Sequence, residues 1–119
     1  MHLNRGNKNA IDWASRKVGD EKPLEAYKGK VAGIMAASPG ALGGMRVLVT
    51  LRMLMENLGT MVLPTQKALG GAFDKFDENG QITDEKAEKA LKAATTAAAT
   101  FASTTTSPRF SLIHALTIF

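Results

Sequence analysis

The chain has 119 residues, 45% of them hydrophobic, which suffices for one domain with a globular core. It has no cysteine, which excludes disulfides, thiolate catalysis and cysteine-based metal sites and favours a reducing compartment, so we expect a cytoplasmic protein. The net charge of +4 arises from basic and acidic residues that are interleaved along the chain. No basic stripe or nucleic-acid motif results, and we expect no nucleic-acid partner.

The first 30 residues predict one helix and a connector. Apolar residues at three- and four-residue spacing indicate a helix over residues 8–16, with Trp13 expected in the core. Residues 1–5 have no apolar segment after their charge, which predicts no secretory signal, and no stretch is long enough to span a membrane. Residues 18–29 are charged and interrupted by glycine and proline, as is typical of a connector.

The next segment reads as a strand, a tight turn and the start of a helix. Residues 31–37 are apolar on both alternating faces, which favours a parallel strand covered by helices on each side over a buried helix. Three glycines and a proline follow within residues 39–44. We predict that Ser38 caps the next helix, with Pro39 at its first position. Ligands of open α/β sheets bind at this end of the strands.

A long helical pattern covers residues 42–58 and ends at Gly59, a natural C-cap. The face expected to pack on the sheet consists of Leu48, Leu51, Met55 and Leu58. A second short strand over residues 60–63 should stop at Pro64. Together the two strands and the helix between them predict one βαβ unit.

Residues 77–82 superficially match a calcium-binding loop. The match fails because the first and twelfth loop positions would be Lys75 and Lys86 where carboxylates are needed, so we predict no metal site. Thr83 or Asp84 should cap a final helix over residues 85–102. The buried face of that helix should contain Ala87, Leu91, Ala94, Ala98 and Phe101.

The apolar segment over residues 110–119 could be an extra packing segment, a partner-binding strand or a sequence not selected for folding. The last two readings are favoured.

Two strings in the chain resemble one enzyme family. SPGALGG at residues 38–44, with the helix that follows it, resembles the fourth-strand loop and helix of the NADPH-dependent FMN reductase family, which includes chromate, quinone and azo reductases. KNAIDWASR at residues 8–16 is similar to that family's helix after the third strand. The resemblance covers about residues 4 to 102. It implies a partial reductase domain over residues 1–102 and a C-terminal tail outside the family over residues 103–119.

The resemblance implies a fold and a chemistry. The fold is α/β, a flavodoxin-like three-layer αβα arrangement truncated to about two parallel strands and three helices. The chemistry is that of an oxidoreductase in which FMN carries electrons from NADPH or NADH to a quinone, an azo compound, a metal oxyanion or free flavin. No catalytic acid or base is implied, and a homo-oligomer or a complementing chain is expected. The implied cofactor-binding residues are Asn4, Ser38, Pro39, Gly40, Gly43 and Gly44.

The sequence departs from the family in two places. Only Asn4 matches the family's Pro-Glu-Tyr-Asn motif, and the first-strand loop that binds the FMN phosphate has no counterpart in these residues. The strand over residues 31–37 is therefore expected to expose the edge that a third strand covers in the family. These departures favour an alternative, a non-catalytic truncated half-domain or one half of a two-chain assembly. A small nucleotide- or partner-binding module unrelated to redox work is a third reading.

Overall fold

A computed structural model of the chain describes residues 5–104 and 112–118. Helices lie on a three-stranded sheet in which the central strand pairs in parallel with both neighbours, in the order β2-β1-β3. This confirms the predicted α/β class and the two parallel strands with three helices, to which a third strand is added. The elements are α1 (Arg5–Ala14), β1 (Val31–Ala37), α2 (Met45–Asn57), β2 (Met61–Leu69), a 3-10 turn (Ala72–Asp74), α3 (Glu85–Thr104) and β3 (Leu112–Ile118).

β1 is the centre of the core because both of its faces are apolar. Alternate side chains point to opposite faces of a strand. Ala32, Ile34 and Ala36 belong to a cluster built with α2, whereas Val31 and Ala37 pack in two smaller clusters that contain residues of α3. Helices therefore cover both faces of β1, as the continuous apolar run predicts.

α2 packs on the sheet through the face that its spacing predicts. Leu48, Leu51 and Met55 are each at most 1% exposed, and Leu58 is half-buried against the same cluster. Full burial of such side chains contributes about 1.5–3 kcal/mol each. The helix ends before Gly59, whose φ of +85° is the left-handed conformation expected of a C-terminal glycine.

β2 does not stop at Pro64, so that prediction is wrong. The register runs from Ala32 opposite Val62 to Ile34 opposite Gln66, and residues 63–65 form a bulge. A proline, which has no N–H to donate, is tolerated at a bulge on an edge strand. The Arg52 guanidinium stabilises the bulge by donating to the carbonyl oxygens of Val62 at 3.2 Å and Leu63 at 2.9 Å, and to Gln66 Oε1 at 3.0 Å.

α3 lies close to the opposite face of the sheet. A Cβ on Gly33 of β1 would come within 3.1 Å of Ala98 Cβ. Of the two predicted N-caps, Thr83 and Asp84, the structure has Asp84, whose Oδ1 accepts the N–H of Ala87 at 3.0 Å. The buried face is as predicted at Ala87, Ala94 and Ala98 and half-buried at Leu91, but Phe101 is 42% exposed.

α1 is held to the core by few contacts, and the prediction of a buried Trp13 is wrong. Trp13 is 70% exposed, with the Arg16 guanidinium carbon 4.9 Å from its ring centroid. The helix packs against the α2-side core through Ile11, whose carbonyl oxygen accepts the Tyr27 hydroxyl at 3.2 Å. Burial, and secondarily the charge of Asp12, raise the pKa of Tyr27.

The edge of β1 opposite β2 is paired, contrary to expectation. β3 runs parallel to it in continuous register from Val31 opposite Leu112 to Ala37 opposite Ile118. The described part of the C-terminal segment thus adds a third strand to the sheet, as the reading of an extra packing segment expects. The backbone of β3 pairs with backbone groups of β1 that would otherwise lack hydrogen-bond partners. Among the helices described, none has the length and apolar character needed to cross a bilayer.

Candidate functional site

Two neighbouring loops leave the carboxyl ends of β1 and β2 and are tied together through Ser38. Its N–H donates to the Leu69 carbonyl at 3.0 Å, and its own carbonyl accepts the Ala72 N–H at 3.1 Å. Ser38 is only 5% exposed. We refer to residues 38–44 and 70–72 together as the double loop.

The two halves of the double loop touch through glycine backbones. A Cβ on Gly43 would overlap the backbone of Leu69 and Gly70, and a Cβ on Gly70 would overlap the carbonyl of Ala41. Gly43 also has a φ of +58°, which favours glycine. Since no side chain fits at either contact, the loop geometry depends on these two glycines.

The start of α2 differs from the prediction. Ser38 does not cap the helix, because its Oγ accepts the N–H of Gly40 at 3.3 Å instead. The chain makes a further turn through Gly43 and Gly44, both with positive φ, and α2 begins at Met45 with Gly44 as N-cap and no side-chain cap. The predicted cap is wrong because the glycines lengthen the turn by several residues.

The outer surface of the double loop is formed mainly by backbone. Residues 39–42 are exposed, and a Cβ on Gly40 would meet only Ser38 Oγ, at an ordinary contact distance of 3.8 Å. Within the described parts of the chain, the N–H groups of Ala41 and Leu42 have no hydrogen-bond acceptor. A flat ring could lie against this surface, and the two donors suit electron-rich atoms of a ligand.

The structure brings five of the six predicted binding residues into one loop. Pro39 and Gly40 face solvent, whereas Ser38, Gly43 and Gly44 are buried and determine the shape of the loop. Asn4 lies outside the described residues. Whether these residues bind a ligand stays a prediction.

Sequence reasoning missed the N–H groups of Ala41 and Leu42, because unremarkable side chains give no signal of a free backbone donor. It also missed Gly70, for which the Gly70-Gly71 pair was an available signal.

The structure offers no candidate for metal chemistry in the residues that it describes. Among the side chains described within residues 5–104, no group of three or more histidine, aspartate or glutamate residues could hold an ion. What the double loop offers a ligand is shape and backbone donors.

Comparison with known proteins identifies relatives from bacteria and a plant, and the three described here are each 35% identical to this chain over the matched residues. The chain is 35% identical over 86 residues to an NAD(P)H-dependent FMN reductase of Pseudomonas aeruginosa, covering 71% of this chain and 44% of that protein. It is 35% identical over 82 residues to a quinone reductase of Escherichia coli, covering 67% and 41%. An NAD(P)H:quinone oxidoreductase of Solanum tuberosum is 35% identical over 89 residues, covering 72% and 42%. The chain therefore spans less than half the length of these relatives.

The sequence profile of one family also matches the part of the chain that contains two of the three strands and the double loop. That family is described as NADPH-dependent FMN reductase, and the match covers residues 7–74. This segment includes β1, α2, β2 and both halves of the double loop. The chain belongs to the NADPH-dependent FMN reductase family.

Proposed function

We propose that this chain acts in an NAD(P)H-dependent reductase that uses FMN to pass electrons to quinones, azo compounds, metal oxyanions or free flavin. The observation that carries the proposal is the double loop, an exposed backbone surface at the carboxyl edge of a parallel sheet in a member of this family. The names of the bacterial relatives support FMN and quinones as the first ligands to test. The absence of cysteine supports a cytoplasmic location.

The residues present fit one side of a flavin. Pro39, Gly40 and Ala41 expose only small side chains, so an isoalloxazine ring could approach the backbone closely. The N–H groups of Ala41 and Leu42 are donors for its polar edge, and Asn4 is proposed as a further contact. When bound, FMN supplies the redox chemistry. The chain contributes orientation and hydrogen bonding, with no side chain proposed as acid or base.

The outer face of α2 supports a homo-oligomer. Val49 is 67% exposed and Met53 58%, and Met45, one turn before Val49 on the same helix, is 52% exposed. Contiguous exposed apolar surface of this kind is typical of subunit contacts. In sedimentation velocity, Val49→Lys should reduce the oligomer fraction if α2 forms the contact, and Lys89→Gln on the exposed side of α3 should not.

A second candidate function is favoured by the lack, in these residues, of a counterpart to the family's loop that binds the FMN phosphate. In that reading the chain is a non-catalytic half-domain or one half of a two-chain assembly, and FMN binds only when a second chain is present. Binding of FMN to the chain alone decides between the two candidates.

The deciding experiment is a titration of FMN with the purified full chain, followed by quenching of flavin fluorescence. We expect a dissociation constant in the micromolar range, about 8 kcal/mol of binding free energy. Gly40→Leu should weaken binding by at least about tenfold, because it fills the exposed surface without a strained φ. Ala93→Leu, an exposed position on α3, is the matched control and should leave binding unchanged.

Two outcomes would count against the reductase. A dissociation constant of 1 mM corresponds to about 4 kcal/mol of binding free energy. No quenching up to an FMN concentration of about 1 mM would refute FMN binding by this chain and favour the second candidate. Equal weakening by Gly40→Leu and Ala93→Leu would refute the double loop as the binding surface. Where binding is found, oxidation of NADPH and NADH with a quinone acceptor then tests the activity.

A further inference from the structure

A cleft on the α3 side of the sheet carries an excess of positive charge. It lies between the end of β2, the loop after the 3-10 turn and the first turns of α3, and its volume is about 240 Å³. We call it the basic cleft. The charged side chains that line it are Lys67, Lys75, Asp84 and Lys86.

The one carboxylate of the basic cleft is already engaged. Asp84 Oδ2 lies 3.4 Å from Lys75 Nζ, and Asp84 Oδ1 accepts the N–H of Ala87. In residues 5–104, neither Lys67 nor Lys86 forms an ion pair. Two ammonium groups from different elements, a strand and a helix, are thus left without a counter-charge around one cavity.

The size and charge of the cleft suit a phosphate group. Its volume is several times the roughly 30 Å³ that one water occupies in the liquid, so a tetrahedral anion and its water can enter. Charge-assisted hydrogen bonds from lysine to phosphate oxygens are among the stronger polar contacts in proteins. α3 begins at the same place, but Glu85 and Glu88 in its first turn offset the positive end of the helix, so the positive charge of the cleft comes from the lysines.

The basic cleft and the double loop share Gly70. Gly70 lines the cleft, and its backbone packs against Ala41 and Gly43 on the other side. A ligand that lies on the double loop could therefore extend past Gly70 and reach Lys67.

We propose that the basic cleft binds a phosphate monoester through Lys67 and Lys86. In the reductase proposed above, on which this assignment of the source rests, the group it receives is the 2′-phosphate that distinguishes NADPH from NADH. The cleft thereby selects between the two nicotinamide nucleotides. Lys75 serves the cleft indirectly, because its pairing with Asp84 keeps that carboxylate from opposing the anion.

The test uses fragments that contain neither flavin nor nicotinamide, so its outcome is independent of FMN binding. The full chain is titrated by calorimetry at low ionic strength with 2′,5′-ADP, 5′-AMP and inorganic phosphate. We expect 2′,5′-ADP to bind at least about tenfold more tightly than 5′-AMP. Added salt should weaken the binding, since the cleft is open to solvent.

Lysine variants locate the binding. Lys67→Gln and Lys86→Gln should each weaken the binding of 2′,5′-ADP by about tenfold. Lys89→Gln, exposed on the same helix and outside the cleft, is the matched control and should have no effect. Thermal unfolding of each variant verifies that the fold is retained.

Three results would overturn the proposal in whole or in part. Inorganic phosphate binding as tightly as 2′,5′-ADP supports an anion site and overturns the nucleotide as its source. Equal affinity for 5′-AMP and 2′,5′-ADP overturns the 2′-phosphate as the group that the cleft selects, and an equal loss in Lys89→Gln overturns the basic cleft as the phosphate site. If FMN fails to bind while 2′,5′-ADP binds through Lys67 and Lys86, the reductase is refuted and the anion site stands.

Discussion

The two faces of the sheet are covered in opposite ways. α2 covers one face with large side chains, and Leu48, Leu51 and Met55 are at most 1% exposed. α3 covers the other with alanines, close enough that Gly33 leaves little room for a Cβ. The first face is stabilised by the apolar area that it buries, and the second by the short distance between backbones. β1 and β2 thus support two kinds of packing.

The two helices also differ in what makes them helical. α2 begins at Met45, its N-cap Gly44 offers no side-chain cap, and it contains the β-branched residues Val47, Val49 and Thr50, so burial must supply its stability. α3 is rich in alanine, 20 residues long and capped by Asp84, so local signals supply much of its stability. The difference teaches that a helix with few large side chains to bury needs strong local signals.

The largest expected effect is on the α2 face. Leu51→Ala removes a fully buried side chain and leaves a cavity against β1, so we expect the free energy of unfolding to fall by about 2–5 kcal/mol. Urea denaturation measures it. Met53→Ala, on the exposed face of the same helix, should change stability by less than about 0.5 kcal/mol. Similar losses in both variants would contradict the assignment of the buried face.

An intermediate effect is expected where α3 approaches the sheet. In Gly33→Ala the new Cβ meets Ala98 at 3.1 Å, and overpacking costs about 1–3 kcal/mol, offset in part by the roughly 0.5–1 kcal/mol gained on replacing a strand glycine. Amide hydrogen exchange in α3 should accelerate more than exchange in α2.

A double-mutant cycle isolates this contact. Ala98→Gly should relieve the strain, so the stability loss in the combined variant should be smaller than the sum of the two single losses. Additive losses would mean that Gly33 and Ala98 do not limit the approach of α3.

The smallest effect is expected at the cap of α3, and it depends on pH. The N–H of Ala87 chiefly, and then Lys75, hold the pKa of Asp84 below its ordinary value of 3.8. A lowered pKa contributes stability above the ordinary pKa, and the contribution is lost as the pH falls through the lowered value. Asp84→Asn keeps an acceptor for Ala87 but does not titrate. The difference in urea midpoint between the unsubstituted chain and Asp84→Asn should therefore shrink below about pH 4. A difference that stays constant with pH would contradict the role of the Asp84 carboxylate as the cap.

The sequence predicts the parts of this fold that are local and periodic. The spacing of Leu48, Leu51 and Met55 identifies the buried face of α2, because that helix lies directly on the sheet. The same reasoning fails at Trp13, since α1 reaches the core through Ile11 and leaves its other apolar residues in solvent. Spacing gives the face of a helix, but not how much of that face another element covers.

Non-local contacts account for the other errors. Pro64 reads as the end of a strand, yet Arg52 from another element satisfies the carbonyls of the bulge and lets β2 continue. The pairing of β3 with β1 joins residues about 80 positions apart, and no local pattern encodes it. At the candidate site, the sequence locates the glycine loop. It cannot reveal which N–H groups lack an acceptor, because that depends on how the two loops pack.

The bulge in β2 also limits how the sheet can grow. Polymerisation through sheet edges requires that each copy offer two edges able to form a continuous ladder. The outer edge of β2 contains Pro64, which lacks an N–H, and its register is interrupted over residues 63–65. In the described part of the chain, the outer edge of β3 is the other end of the sheet. With one end unsuited to strand addition, edge-to-edge association of this chain is disfavoured beyond two copies.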